Sequence, residues 1–396
     1  MGVRAGLSMV FVVACVASCL AVQPTSRSSS IRAAGPKLVS NRDIDLQSVG
    51  VEGALEKPNK KKKEFKTPSG LFIQERASKQ LPGPGQHFSF GALLPWAEIQ
   101  VLLDQLPDSK LVLLIRHGQA ISNYLSDFLG PDEWFKVEET CAYTQKDGTE
   151  WGLFDADLTV KGQEETNALN GLLDNAGWYS KLTGGRPTRA VVSPLSRCLE
   201  TANRALSGLP IGVYSVEENV RETLGEDTCD ARRSVSNPDP NHPSALEGPC
   251  DFAVGLRAKF PQFEFPIVGG KGDDELVAES DTDVDADSDD DGGDEGLVVT
   301  GGLGGRNSTS GFGLLSDRDG LWTHKRETQH KQVKRATRFL RDLYAFAPEK
   351  VVFVVTHSGF TRSVLLAAGR EPYRPQNSEL VPLILQRTAH AGPGAL

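Results

Sequence analysis

The 396-residue sequence is poor in sulfur and in charge bias. Six Cys are too few for a disulfide scaffold, and no CxxC pair offers a zinc cage. The net charge of −9 reads as acidic, yet residues 273–295 hold 13 Asp/Glu and no Lys/Arg. The rest of the chain is therefore mildly basic overall, which gives no general attraction to nucleic acid. Long apolar runs are scarce too: the one that stands out, Ala5–Val22, is broken only by Ser8 and Ser18. No internal repeat is present, which sets aside solenoids and propellers. What is present suits a globular protein. Hydrophobic residues other than Gly make up 39%, and 17 Phe with 5 Trp suffice for a core.

The N-terminus reads as an address. Met1–Arg4 is positive, the apolar run follows, and Ala17 and Cys19 are small residues at a signal-peptidase spacing. Residues 1–22 are thus expected to be a cleaved secretory signal, with a retained membrane anchor as the alternative. Gly6 stands where myristoylation needs Ser or Thr. Gln23–Asn41 carries Ser28, Ser29 and Ser30, three basic residues and no acid, so plastid delivery by a bipartite signal is the second alternative. After signal cleavage no stable membrane association is expected. Cys15 and Cys19 leave with the signal. Cys141, Cys198, Cys229 and Cys250 read as free or buried thiols, with a Cys229–Cys250 bridge as the alternative.

Residues 23–85 are rich in Ser, Pro, Gly and Lys, including Lys60–Lys63, and read as a solvated linker. Residues 269–320 hold the acidic run and Gly301-Gly302-Leu303-Gly304-Gly305, and read as a disordered insertion hanging off the surface. Asp287-x-Asp289-x-Asp291-Gly292 matches half a calcium loop, but Val298 occupies the twelfth position, which excludes an EF-hand. Asn307-Ser308-Thr309 is a glycosylation sequon. The remainder of 86–390 suits one domain, with 391–396 as a tail. Within it, apolar runs at Leu111–Ile115, Ala190–Val192 and Val351–Val355 alternate with helical patterns at Val160–Lys181, Leu195–Leu206, Lys325–Phe346 and Phe360–Ala368. A further strand is expected at Ile211–Tyr214. The expected fold is α/β, a mainly parallel sheet with helices on both faces.

Ligands bind beyond the carboxyl ends of such strands. There the sequence places Arg116-His117-Gly118, Ser193-Pro194-Leu195-Ser196-Arg197 and Thr356-His357-Ser358-Gly359. Two Arg and two His suit a phosphoryl group. Guanidinium groups grip its oxygens, one imidazole attacks phosphorus, and a second, if protonated, neutralises charge in the transition state. An acid for the leaving oxygen is sought among Glu217, Glu218, Glu222, Glu226 and Asp227.

These motifs carry a family resemblance. Leu114-Ile115-Arg116-His117-Gly118-Gln119 with Asn123, Asp157-Leu158-Thr159-x-x-Gly162-Gln163, Ser193-Pro194-Leu195-x-Arg197-Cys198-x-Glu200-Thr201-Ala202 and Val355-Thr356-His357-Ser358-Gly359 occur in order. Together they resemble the histidine phosphatase superfamily, in its phosphoglycerate mutase-like branch. The resemblance implies His117 as phosphorylated nucleophile and Arg116, Arg197 and His357 as the rest of the phosphate pocket. Arg221-Glu222-Thr223-Leu224-Gly225 and Cys229-Asp230-Ala231-Arg232-Arg233-Ser234 resemble the acid-bearing segment of plant and fungal members. That implies Glu222 as proton donor, with Glu217 and Glu218 as rivals, and Asn123 and Arg232 as substrate-holding candidates. The Glu-Arg-His-Tyr-Gly segment of glycolytic mutases is absent, which favours hydrolysis over mutase chemistry. The expected activity is a phosphomonoester hydrolase working without metal or cofactor on a phosphorylated small molecule or phosphoprotein. The alternatives are a mutase and a catalytically idle module that binds partners through the acidic insertion.

Overall fold

The computed structural model describes residues 63–75, 89–237, 250, 254–268 and 311–388. In chain order its elements are β1 (Phe65–Lys66), α1 (Trp96–Gln105), β2 (Ser109–Arg116), α2 (Ile121–Leu129), α3 (Pro131–Trp134), β3 (Ala142–Thr144) and β4 (Glu150–Gly152). There follow α4 (Val160–Leu173), α5 (Trp178–Thr183), β5 (Thr188–Val192), α6 (Ser196–Ala205) and β6 (Val213–Val216). Last come α7 (Leu256–Lys259), α8 (Gln329–Phe346), β7 (Val351–Thr356), α9 (Ser358–Ala367) and β8 (Leu380–Arg387).

The main sheet has the order β1-β8-β2-β7-β5-β6. Its centre, β2-β7-β5-β6, is parallel, while β8 and β1 close one side antiparallel. Side chains along each strand alternate between two cores. Leu111, Leu113, Ile115, Phe353 and Val355 face one way, onto α1, α4, α5 and α6. Val112, Leu114, Val352 and Val354 face the other, onto α8 and α9. Continuous apolar runs in β2 and β7 are thus explained by helices on both faces, the α/β layering expected from the sequence.

Several boundaries differ from the sequence expectation. The pattern Val160–Lys181 is two helices, because Gly177 takes a left-handed φ of 66° between α4 and α5. The strand expected at Ile211–Tyr214 forms two residues later as β6. Residues 63–75 are not linker: Phe65 and Lys66 pair with β8, and Phe65, Leu71 and Phe72 are buried. Their few apolar side chains are hidden by the polar residues on either side. Residues 311–320 belong to the domain as well. Leu314 bridges to Ile267, Phe312 and Leu314 are buried, and Asp319 pairs with Arg221. Cys141 and Cys250 form a disulfide, while Cys198 and Cys229 are free and buried. The alternative Cys229–Cys250 pairing is therefore not the one formed. The leader, the partial calcium loop and the sequon lie outside the described residues. Among those described, no helix is long and apolar enough to cross a membrane.

Candidate active site

Strands β2, β7 and β5 lie side by side and parallel, so their carboxyl ends open onto one edge of the sheet. His117 follows β2, His357 follows β7, and Ser193 follows β5 just before α6 brings in Arg197. The two imidazole rings stand 5.1 Å apart at 62°.

His117 is fixed at both ends. Its backbone N–H donates to the Thr356 carbonyl at 3.0 Å. Its Nδ1 lies 2.7 Å from the Gly118 carbonyl, an acceptor only, so Nδ1 carries the proton. That leaves Nε2 as the acceptor, and it takes a long hydrogen bond from Arg197 Nε at 3.3 Å. Burial first, then the Arg197 and Arg116 cations, hold His117 well below the ordinary imidazole range. It is a neutral base whose Nε2 lone pair is met only by the long Arg197 contact.

Arg197 is buried and donates through Nη2 to Asp230 at 2.6 Å and through Nη1 to the Cys229 carbonyl at 2.5 Å. Burial is the largest influence and opposes its charge, but Asp230 together with the neighbouring Cys229 and Cys198 raises its pKa. Burial pushes the Asp230 carboxyl up against the pull of Arg197, so contact rather than solvent supports this pair. Arg116 donates to the Pro375 carbonyl at 3.0 Å. Its buried Nε has no partner among the described residues, which leaves a donor for an anion. His357 Nε2 lies 2.9 Å from Ser193 Oγ and 3.3 Å from Cys198 Sγ. Burial, then Arg197 and His117, hold its pKa well below the ordinary imidazole range, so His357 is neutral rather than protonated.

Glu222 reaches the same edge. Its Oε2 accepts from the Gly359 N–H at 3.1 Å, in the first turn of α9, and its Oε1 accepts from its neighbour Thr223 at 3.0 Å. Arg335 holds the backbone there, donating to the carbonyls of Asn219, Arg221 and Glu222. The remaining motif residues brace this arrangement. Thr201 Oγ1 accepts from the Gly118 N–H at 3.1 Å, tying the His117 loop to α6. Thr159 caps α4 by accepting from Gly162 at 3.0 Å and donates to Gln119 Oε1 at 2.9 Å. Gly162 is required for that close approach, since a Cβ there would strike the Gln119 backbone.

The chain resembles curated proteins over most of its length. It is 23% identical over 302 residues to phosphomutase-like protein 3 of Candida albicans, covering 75% of this chain and 72% of that one. It is 25% identical over 300 residues to phosphoglycerate mutase-like protein 1 of Arabidopsis thaliana, covering 68% and 76%. Over about two thirds of its length or more the chain is thus similar to proteins named phosphomutase-like and phosphoglycerate mutase-like. A probable phosphoglycerate mutase of Arthroderma benhamiae is 30% identical over 142 residues, 34% of this chain and 39% of its own length. No protein-family model matches the chain. A solved phosphoserine phosphatase of Entamoeba histolytica is 15% identical, covering 71% of this chain and 98% of that one, with a TM-score of 0.30. That likeness is too loose to bear on function.

The rival acids are all engaged elsewhere. Glu217 is buried, pushed up to about 7 by burial, and accepts from Asn219 and Gly313. Glu218 pairs with Arg221 and Arg232, and both Glu226 and Asp227 pair with Arg326. Arg232 departs from its expected substrate-holding place. It is buried, and its guanidinium donates to Glu218 and to the carbonyls of Arg233, Ser316, Asp317 and Arg318. It therefore anchors the segment after the insertion. Asn123 uses Oδ1 to accept from Ala120 at the start of α2, at 3.1 Å, so that oxygen is not free for substrate. Sequence reasoning gave no role to Asp155, whose buried carboxylate accepts from Ser196 N and Oγ and from Arg233. It sets the start of α6 just before Arg197. No motif spacing marks it, because it acts across 41 residues of chain.

Proposed function

We propose that the protein is a phosphomonoester hydrolase acting through a phosphohistidine on His117. The observation that carries this reading is the state of His117: neutral, buried, its Nδ1–H tied to a carbonyl and its Nε2 unprotonated, accepting only a long hydrogen bond from Arg197 Nε. Arg116 and Arg197 bind the phosphoryl oxygens and neutralise their charge, a role that needs no metal. The Nε2 lone pair forms the N–P bond as the ester P–O bond breaks. Glu222, in its acid form, gives its proton to the leaving oxygen. Water then attacks phosphorus, Glu222 takes the water proton, the N–P bond breaks, and inorganic phosphate leaves. An anionic group between the rings opposes the cations that keep His357 neutral, which favours its protonation as charge builds.

The mutase reading draws on the names of the curated relatives and uses the same intermediate, returned to a second hydroxyl instead of to water. Product analysis separates the two: inorganic phosphate for hydrolysis, an isomeric phosphate ester for the mutase. The test of the chemistry itself is turnover of an aryl phosphate by the full chain and by His117→Ala. Full activity in the variant would end the proposal.

A further inference from the structure

Arg197 has five N–H donors, and the protein engages three of its nitrogens. Nη1 donates to the Cys229 carbonyl at 2.5 Å, Nη2 to Asp230 Oδ1 at 2.6 Å, and Nε faces His117 Nε2 at 3.3 Å. One further N–H remains on each terminal nitrogen. When a phosphoryl group occupies His117 Nε2, that nitrogen no longer accepts from Nε, so these two N–H groups and the released Nε–H are the donors that can meet its oxygens. Their direction is set on the far side of the guanidinium, by Asp230 and its neighbour.

Asp230 is itself built in. Its side chain is 5% exposed, and its carbonyl accepts from Arg221 Nη2 at 2.7 Å. Its N–H donates to the Asp227 carbonyl at 3.0 Å. Thr228, two residues before, donates through its N–H to Glu138 and through Oγ1 to the Thr140 carbonyl at 2.6 Å. Arg221 directly precedes Glu222, so the turn that grips Arg197 is tied to the segment that carries Glu222.

We infer that Asp230 is the positioning residue for Arg197, fixing the plane of the guanidinium so that its spare N–H groups meet the phosphoryl oxygens at His117. This rests on the phosphatase reading. Asp230 touches no reacting atom, and its influence runs through Arg197. Two consequences distinguish positioning from a packing role. An Asn, which keeps the acceptor, preserves much of the geometry that an Ala destroys. Loss of the carboxylate also removes a negative charge that opposes anion binding, so inorganic phosphate binds the Asn variant more tightly while turnover slows.

The test uses the full chain with 4-nitrophenyl phosphate, comparing wild type, Asp230→Asn, Asp230→Ala, Arg197→Gln and the Arg197→Gln/Asp230→Asn pair. Asp230→Ala should lose about 100-fold in kcat, the scale of a misplaced catalytic group. Asp230→Asn should stay within about tenfold of wild type, with a phosphate inhibition constant lowered about threefold. In the Arg197→Gln background the Asn change should cost less than about twofold, as expected when one residue acts through the other. Should Asp230→Ala fail to fold, the Asn variant and the double variant decide the matter alone. An Asp230→Asn protein with unchanged kcat and unchanged phosphate inhibition would overturn the inference. So would the same loss with and without Arg197. A wild type that neither turns over the substrate nor is inhibited by phosphate would remove the phosphatase reading and this inference together. An active wild type with unaffected Asp230 variants would remove this inference alone.

Discussion

Gly359→Ala should separate stability from catalysis. Gly359 sits in the first turn of α9, where its N–H donates to Glu222 Oε2. A Cβ built there lies 3.0 Å from Glu222 Cδ, 3.4 Å from Oε2, and overlaps Oε1. The three nearest atoms all belong to this flexible side chain, so the carboxyl can retreat by roughly 1 Å, enough to misplace a catalytic group. In a helix, Ala is favoured over Gly by about 0.5–1 kcal/mol. The weakened hydrogen bond to Glu222 costs about 1.5–3 kcal/mol if wholly lost. The net destabilisation is therefore on the order of 1–2 kcal/mol, and the variant folds. The catalytic effect depends on the leaving group. Nitrophenolate leaves with little help, whereas an alkoxide needs the proton. We expect kcat to fall about 100-fold on a simple alkyl phosphate and less than about fivefold on 4-nitrophenyl phosphate. Glu222→Gln should show the same ordering. Equal losses on both substrates, or none, would refute the assignment of the proton donor.

Three further outcomes follow from the same geometry. Both His117 and His357 have pKa values lowered from 6.5, so each is neutral above that pH and resists protonation as the pH falls below it. Nitrogen-15 spectra of labelled histidine at pH 6 should show two neutral rings assigned by His117→Ala and His357→Ala, and imidazolium signals there would contradict the site. Phe65→Ala should lose about 3–5 kcal/mol in urea denaturation, as for a buried Phe, with kcat unchanged below the unfolding transition. Deleting residues 270–310 should leave turnover intact. Extending that deletion to 318 removes Phe312, Leu314 and the Asp317 and Arg318 carbonyls that hold Arg232, and should abolish cooperative thermal unfolding.

The parallel centre of the sheet was legible because β2 and β7 are buried on both faces and so appear as unbroken apolar runs. The residues at their ends were legible because strand-end position is local in sequence. What escaped was non-local or short. β1 has two residues, and its partner β8 lies more than 300 residues away, so neither period nor composition exposes it. Arg232 looked available because nothing in the sequence shows that the carbonyls of residues 316–318 fold back onto it. The same holds for Asp155 and Asp230, which act on α6 and Arg197 across the chain. The choice among five acids also needed coordinates. Glu217, Glu218, Glu226 and Asp227 are held by arginines, backbone or neighbouring side chains, whereas Glu222 accepts from the Thr223 and Gly359 N–H groups.

The account stands on His117. The most direct measurement is hydrolysis of 4-nitrophenyl phosphate by the full chain in the presence of chelator, with the protein quenched in base and probed for phosphohistidine. Turnover should survive the chelator, the wild type should carry a base-stable phosphoryl group, and both should be lost in His117→Ala. Undiminished turnover by His117→Ala, or a phosphoryl group that persists in it, would contradict the account.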